Sequence, residues 1–262
     1  MLLAIDIGNT NVTLGVWDGR SWQTEWRLRT TQDRTVDEYG ITLLTLLREA
    51  RLARAINQTI LASVVPNLTN TFLEVCARYL QLTPQLVTHT LDTGIRIRTD
   101  NPAEVGADRI TNAVAAYHLH PGPSIVIDMG TATTFDVVSG AGELLGVVIA
   151  PGLRLAAHAL ASQAAQLSHV AIKAPPQAIG RNTTHAVQSG LIFGYTALVE
   201  GLVQRLRAEH PDQENEMRII GTGGLIHLIT PHTDVIDIVD PWLTLTGLRV
   251  INDRLRSTEG AG

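Results

Sequence analysis

Two short segments of the chain carry the residue types of a phosphate site. The first is Asp6-Ile7-Gly8-Asn9-Thr10-Asn11, entered from the apolar run Leu2-Leu3-Ala4-Ile5. The second is Asp128-Met129-Gly130-Thr131-Ala132-Thr133-Thr134, entered from Ser124-Ile125-Val126-Ile127. In each, a carboxylate at the end of an apolar strand is followed by Gly and then by hydroxyl or amide side chains. Gly lets backbone approach a phosphate closely, N–H groups and hydroxyls donate to its oxygens, and a carboxylate holds hydrated Mg²⁺. One such loop alone is more readily a polar turn whose Asp is satisfied by local N–H groups. The recurrence, with Asp128 following Asp6 by 122 residues, favours a ligand. Two such loops facing each other across a cleft would clamp the β- and γ-phosphates of a nucleotide. Neither G-x-x-x-x-G-K-[ST] nor G-x-G-x-x-G after a strand is present.

Two further segments fit the same chemistry. Gly221-Thr222-Gly223-Gly224 offers small residues against which a purine or ribose can lie, although Gly-Gly after a strand is usually a tight turn. Gly106-Ala107-Asp108-Arg109 opens a helix. There Asp108 can accept a proton from a substrate hydroxyl during phosphoryl transfer, and Arg109 can hold a carboxylate or phosphoryl group in a forked geometry. Capping and the helix dipole explain an Asp in a first turn equally simply, and on spacing alone that is the commoner reading. Other candidates have plainer explanations. His118 and His120 do not share a helical face, so they make no metal pair. Cys76 on an apolar helical face reads as core, and Trp17, Trp22 and Trp26 as cross-strand packing. Gln188-Ser189-Gly190 suits either a contact with a second copy or a helix seam within the chain.

The elements that must position these residues follow from periodicity. Leu2–Ile5, the alternation of Val12, Leu14 and Val16, and a return strand after Asp18-Gly19 predict a three-strand antiparallel meander. A helix is expected from Thr35 to about Leu52, a strand over Ile60 to Val65 stopped by Pro66, and a helix over Thr69 to Leu80 with Phe72, Cys76 and Tyr79 on one side. Gly106 to His118 is a further helix, left at Pro121-Gly122-Pro123. After it the strand-loop-strand-turn-strand order repeats, with a turn at Gly140-Ala141-Gly142. Helices at about Leu153–Ala164, Thr184–Ala208 and Leu243–Arg256, and a strand near Arg218–Ile220, complete the second half. The halves are drawn at 1–120 and 121–262.

Composition sets the frame. The 262 residues are 45% hydrophobic and 17% charged, which excludes a disordered chain. A net charge of −5 with no basic stripe argues against nucleic acid as a partner. The longest strongly apolar uncharged stretch is taken as Leu144 to Leu153, about half of what spans a bilayer, so no membrane partner is expected. With only the short apolar run Leu2-Leu3-Ala4-Ile5 between Met1 and Asp6 and a single cysteine, a cytoplasmic chain is the expectation.

Several of these motifs, taken together, resemble type III pantothenate kinase. They are Asp6 to Asn11, Gly106-Ala107-Asp108-Arg109, Asp128-Met129-Gly130-Thr131-Ala132-Thr133, Ile179-Gly180-Arg181-Asn182-Thr183, and Leu243-Thr244-Leu245 with Gly247-Leu248, in that family's order and over nearly the whole chain. The resemblance implies an α/β chain with a duplicated actin-like (ribonuclease H-like) fold. Each of its two lobes would have a mixed five-stranded sheet flanked by helices, as in the actin, hexokinase and Hsp70 ATPase superfamily. It also implies ATP-dependent phosphorylation of pantothenate, the first step towards coenzyme A, in a bacterial cytoplasm, by a homodimer that needs Mg²⁺ and a monovalent cation, K⁺ or NH₄⁺.

Carried over by position, Asp6, Ile7, Gly8, Asn9, Thr10, Asn11, Val12 and Thr13 bind ATP, with Asp6 directing Mg²⁺ through water. Thr131 also contacts ATP phosphate, and Asp128 ligates the monovalent cation. Gly106, Ala107, Asp108 and Arg109 contact pantothenate, with Asp108 as proton acceptor, and Thr183 reaches it near the subunit interface. A weakly hydrated cation suits a chain whose one lysine, Lys173, lies outside every motif. The pattern is broken at four places. Thr99 stands where the family has a pocket Tyr, Val147 where it has the second Gly of a pair, Leu167-Ser168-His169 where it has Leu-Pro-Arg, and Thr246 where it has Glu. Two alternatives follow from Thr99 and Val147: a nucleotide-binding regulatory protein resembling transcription accessory factors, or a kinase for another small hydroxylated acceptor.

Overall fold

The computed structural model describes residues 1–163 and 170–259. The segment Leu167-Ser168-His169 and the last residue of the expected 153–164 helix, Ala164, lie outside them. The chain opens with antiparallel strands β1 (Leu2–Ile7), β2 (Asn11–Trp17) and β3 (Trp22–Arg29). Helix α1 (Val36–Glu49) leads to β4 (Gln58–Ser63), which pairs parallel to β1. Helix α2 (Pro66–Val75) then runs into a π-helical turn at Cys76–Leu80, and β5 (Gln85–Leu86) joins β4. The sheet order is β3-β2-β1-β4-β5. Strand β6 (Arg96–Ile97) and a 3₁₀ turn at Pro102–Glu104 precede α3 (Ala107–Leu119).

The second half repeats the meander and then places two helices before its last two strands: β7 (Ser124–Met129), β8 (Ala132–Val138), β9 (Glu143–Pro151), α4 (Leu153–Gln163), α5 (Thr183–Glu209), β10 (Arg218–Thr222) and β11 (Ile238–Val239). Here β7 pairs antiparallel with β8 and parallel with β10, so these strands run β9-β8-β7-β10-β11. Strands β1 and β7 share one burial pattern, fully covered except at the aspartate. Both meanders also carry a bulge in the same place, between Val16 and Trp17 in β2 and between Val137 and Val138 in β8. The loops differ by one residue. Ile7 pairs with Val12 across four residues, and Met129 pairs with Thr133 across three.

Local sequence explains the elements. Thr35 and Glu38 form a reciprocal capping box at the start of α1. Pro66 does not end a strand but takes the first position of α2, where its missing N–H is no loss; β4 has already ended at Ser63. The α-helix over Thr69–Leu80 stops at Val75, and the π-helical turn that follows carries Tyr79 over Gly40 and its hydroxyl to Asp37 at 2.6 Å. Leu3, Ile5 and Ile7 of β1 pack with Leu43, Leu61 and Phe72 in the first core. Ile125, Ile127 and Phe135 pack with Ile192 and Val199 of α5 in the second. Each such fully buried side chain contributes about 1.5–3 kcal/mol of transfer free energy.

The chain forms two compact units, Met1–Ala115 with the last helix α6 (Leu243–Glu259), and Ala116–Trp242. They part within α3 and count α6 with the first unit, whereas the halves drawn from sequence part at residue 120. Helix α5 is long and apolar enough to cross a membrane by length and composition, with 39% of that window buried.

Helix α6 lies on α3 at one close crossing. A Cβ on Gly247 would collide with the Thr111 carbonyl, and one turn away the Thr244 hydroxyl donates to Asn112 Oδ1 at 2.8 Å. Gly247→Ala is therefore expected to force the helices apart and lower unfolding free energy by about 1–3 kcal/mol, read as a lower denaturant midpoint at unchanged slope.

Candidate functional site

In the first unit, β1 delivers Asp6 to the C-terminal end of the sheet, opposite Thr13 in β2 and Ala62 in β4. The loop that follows is closed by Gly8 N–H donating to the Asn11 carbonyl at 2.9 Å. Thr30, at the end of β3, ties it down: its hydroxyl donates to the Gly8 carbonyl at 2.6 Å and its N–H to the Thr10 carbonyl at 2.9 Å. Ile7 and Val12 are fully buried, so they can offer a ligand only backbone groups, while Asn9, Thr10 and Asn11 are exposed. Thr30 has no signal in the sequence, because it acts through the loop's own carbonyls.

At the same end of the sheet, Gly106 closes against Val64, the residue after β4, and a Cβ on Gly106 would also sit 2.5 Å from Asp108 Oδ1. The Asp108 carboxylate is thus folded back over the helix start. Its Oδ1 accepts the Arg109 N–H at 2.9 Å, and Oδ2 lies 3.4 Å from the Arg109 guanidinium, both side chains being mostly covered. The structure brings Asp6, Gly106, Ala107, Asp108 and Arg109 to one end of one sheet. Thr99 precedes them in a segment fixed by the Asp92–Arg254 pair at 3.0 and 3.1 Å. Hydrogen bonding to that guanidinium holds the Asp92 carboxyl below the usual carboxylate range. The Thr99 hydroxyl is shielded from solvent and has no hydrogen-bond partner among the described residues.

In the second unit, β7 delivers Asp128 opposite Thr134 and Thr222. Its carboxylate lies against two glycine turns: a Cβ on Gly223 would be 2.5 Å from Asp128 Oδ1 and 2.7 Å from the Met129 backbone, and one on Gly130 would be 3.5 Å from the same oxygen. Gly223 also has φ +88°, so only glycine fits. Thr131 sits exposed at the loop tip, its carbonyl in close contact with Gly152. Tyr195 of α5 donates to the neighbouring Pro151 carbonyl at 2.8 Å, and burial raises its phenol above the usual value. Gly221 faces Ile226 and Ile236, so the glycines of 221–224 that have close neighbours are packed by the protein itself.

Thr183 lies exposed at the first turn of α5, behind the Asn182 cap, which accepts the His185 N–H at 2.9 Å. Gln188 and Ser189 bond within the chain, to the Ala171 and Ala178 carbonyls, so they form an intramolecular seam. Val147 stands in β9 opposite Asp136, and Thr246 is buried in α6. Cys76 is in the first core, where burial pushes its thiol up to about 12. No group of three or more His, Cys, Asp or Glu suited to a metal occurs among the described residues.

The duplicated five-strand order and the two aspartate-glycine turns define the class: an α/β fold of the actin and hexokinase kind. Solved structures share it over nearly their full length. One from Campylobacter jejuni, described as a Baf family transcriptional activator, has TM-score 0.58 and 19% identity over 97% of this chain and 99% of that one. A ROK hexokinase from Thermus thermophilus has TM-score 0.52 and 13% identity over 98% and 99%. The type III pantothenate kinase family model matches residues 2–205. A type III pantothenate kinase of Moorella thermoacetica is 45% identical over 97% of this chain and 99% of its own. Another, of Dehalococcoides mccartyi, is 47% identical over 95% and 94%. The chain belongs to the type III pantothenate kinase family.

Gly223→Ala combines left-handed strain with overlap on Asp128, whereas Gly19→Ala, at φ +104° with open space around it, carries strain alone. The expected losses of stability are about 2–4 kcal/mol and about 1–2 kcal/mol, respectively, measured by denaturant unfolding of the two variants side by side.

Proposed function

We propose that this chain transfers the γ-phosphoryl group of ATP to the primary hydroxyl of pantothenate, giving 4'-phosphopantothenate for coenzyme A synthesis in the cytoplasm. The observation that carries this reading is the Asp108 carboxylate at the first turn of α3, beside Val64 and at the same sheet end as the Asp6 loop. Asp108 takes the hydroxyl proton as the O–P bond forms, and ADP leaves with the electrons of the broken bond. Arg109, held beside Asp108 at 3.4 Å, offers a fork to the acceptor's carboxylate or to the transferring group. Phosphoryl transfer asks mainly for positioning and charge stabilisation, so one base and fixed donors suffice.

The loop from Asp6 to Thr13 and Thr131 serve the ATP phosphates, the buried Ile7 and Val12 through backbone alone. Asp6 would direct Mg²⁺ and Asp128 would hold a K⁺ or NH₄⁺ ion; such cations would offset phosphate charge where no P-loop lysine exists. The fit rests on carboxylates near the strand ends, Asp128 being pressed against the Gly223 turn, which cannot carry a side chain. Thr183, Gly106 and Ala107 complete the acceptor contacts. A homodimer is supported by the outer face of α5. There a Cβ on Gly190 or Gly194 would meet nothing within 4 Å, and nearby Ile179 is 79% exposed. A kinase for a different acceptor is favoured only by Thr99, whose shielded hydroxyl offers a small polar contact where the family has a ring.

Purified protein with Mg²⁺, ATP and ammonium is expected to release ADP only when pantothenate is present. Asp108→Asn should lower turnover by about 10²–10⁴-fold while ATP affinity stays within about twofold. No pantothenate-dependent release, or a variant as active as the native protein, would reject the assignment. Thr99→Tyr is expected to lower the KM for pantothenate; an unchanged or higher value means the pocket is built around the threonine.

A further inference from the structure

We infer that Asn112 is a positioning residue for the Asp108 base: its side-chain amide donates to the Asp108 carboxylate as that group turns to the acceptor, and Thr244 of α6 fixes the amide. The inference rests on the proposed role of Asp108 and goes beyond it. Asn112 is fully buried in α3, where Asn is a poor helix former and leucine or alanine would be favoured. Its Oδ1 accepts the Thr244 hydroxyl at 2.8 Å, yet its Nδ2, shielded from solvent, has no hydrogen-bond partner among the described residues. A buried amide donor left open costs free energy, so such a group in a native fold calls for a partner that arrives with function.

The neighbouring turn supplies that partner. Asp108 and Asn112 are four residues apart on one helix, a separation that places their Cβ atoms about 5–6 Å apart on the same face. Helical side chains lean towards the N-terminus, so the Asn112 amide leans towards Asp108. As it stands, Asp108 is folded over Gly106 with Oδ1 on the Arg109 N–H. A base aimed at a substrate hydroxyl must release that cap, and the Asn112 amide then receives one carboxylate oxygen while the other meets the hydroxyl. Such a donor keeps the carboxylate ionised and limits its rotation.

Among the charged groups of this unit, Arg109 lies beside Asp108, and Asp6 stands at the same sheet end. Helix α6 presents Thr244 to α3, while its Arg249 and Arg254 are paired with Asp253 and Asp92. The segment after β4 presents the apolar Val64.

The test is steady-state kinetics and the pH–rate profile of Asn112→Ala, Thr244→Val, Thr244→Ser, the Asn112→Ala/Thr244→Val pair and Asp108→Asn. Asn112→Ala is expected to lower kcat about tenfold with the KM for ATP within about twofold, and to move the acid limb of the profile to higher pH. Thr244→Val should move both in the same direction by less, Thr244→Ser should restore them, and the pair should be no worse than Asn112→Ala alone. Should Asn112→Ala fail to fold, the two Thr244 variants carry the same test. An acid limb unmoved in Asn112→Ala and Thr244→Val, with Asp108→Asn inactive, would overturn this inference alone. Native activity in Asp108→Asn would instead remove the base assignment and this inference with it.

Discussion

A strand buried along its whole length can end on a carboxylate only if the next residues turn sharply and leave the charge a polar exit. Strands β1 and β7 are such strands, each covered at every position except Asp6 or Asp128. An ionised group in their dry interior would cost several kcal/mol, so the charge belongs at the tip. Glycines make the turn there: Gly8 closes on the Asn11 carbonyl, and Gly223 packs on Asp128 from a second turn. The meanders, their matching bulges and the parallel strands β4 and β10 all serve to hold two dry strands with charged ends.

Support for these tips comes from behind. Thr30 fastens the first loop through its carbonyls, and Tyr195 of α5 fastens Pro151, whose neighbour Gly152 lies against Thr131. Asp108 is held in the same manner. Helix α3 carries Asp108 at its first turn and meets α6 at Thr111 and Gly247, a contact that leaves no room for a methyl group. Rigid elements with short polar loops at their ends are the arrangement that positioning chemistry requires.

Much of this was legible in the chain itself. The meander, the repeat at Asp128, the long helices and the acidic first turn at Asp108 all follow from apolar periodicity and turn residues. Two-residue strands such as β5 and β11 have no periodicity to read. Pro66 suits a strand stop as well as a helix start, and only the capture of Leu68 and Phe72 in the core decides for the helix. The reasons for the glycines were hidden because they lie in contacts distant along the chain: Gly247 with Thr111, Gly223 with Asp128. Asn112 gave one faint signal, a polar residue one turn after Asp108 amid alanines. Its pairing with Thr244 depends on a helix 132 positions further on.

The most direct test is a crystal structure of the protein with a non-hydrolysable ATP analogue, Mg²⁺ and pantothenate. The expected result places the primary hydroxyl of pantothenate about 2.6–3.2 Å from an Asp108 carboxylate oxygen and in line with the γ-phosphoryl group. Pantothenate bound with that hydroxyl away from Asp108, or the γ-phosphoryl group out of its reach, would contradict the assignment.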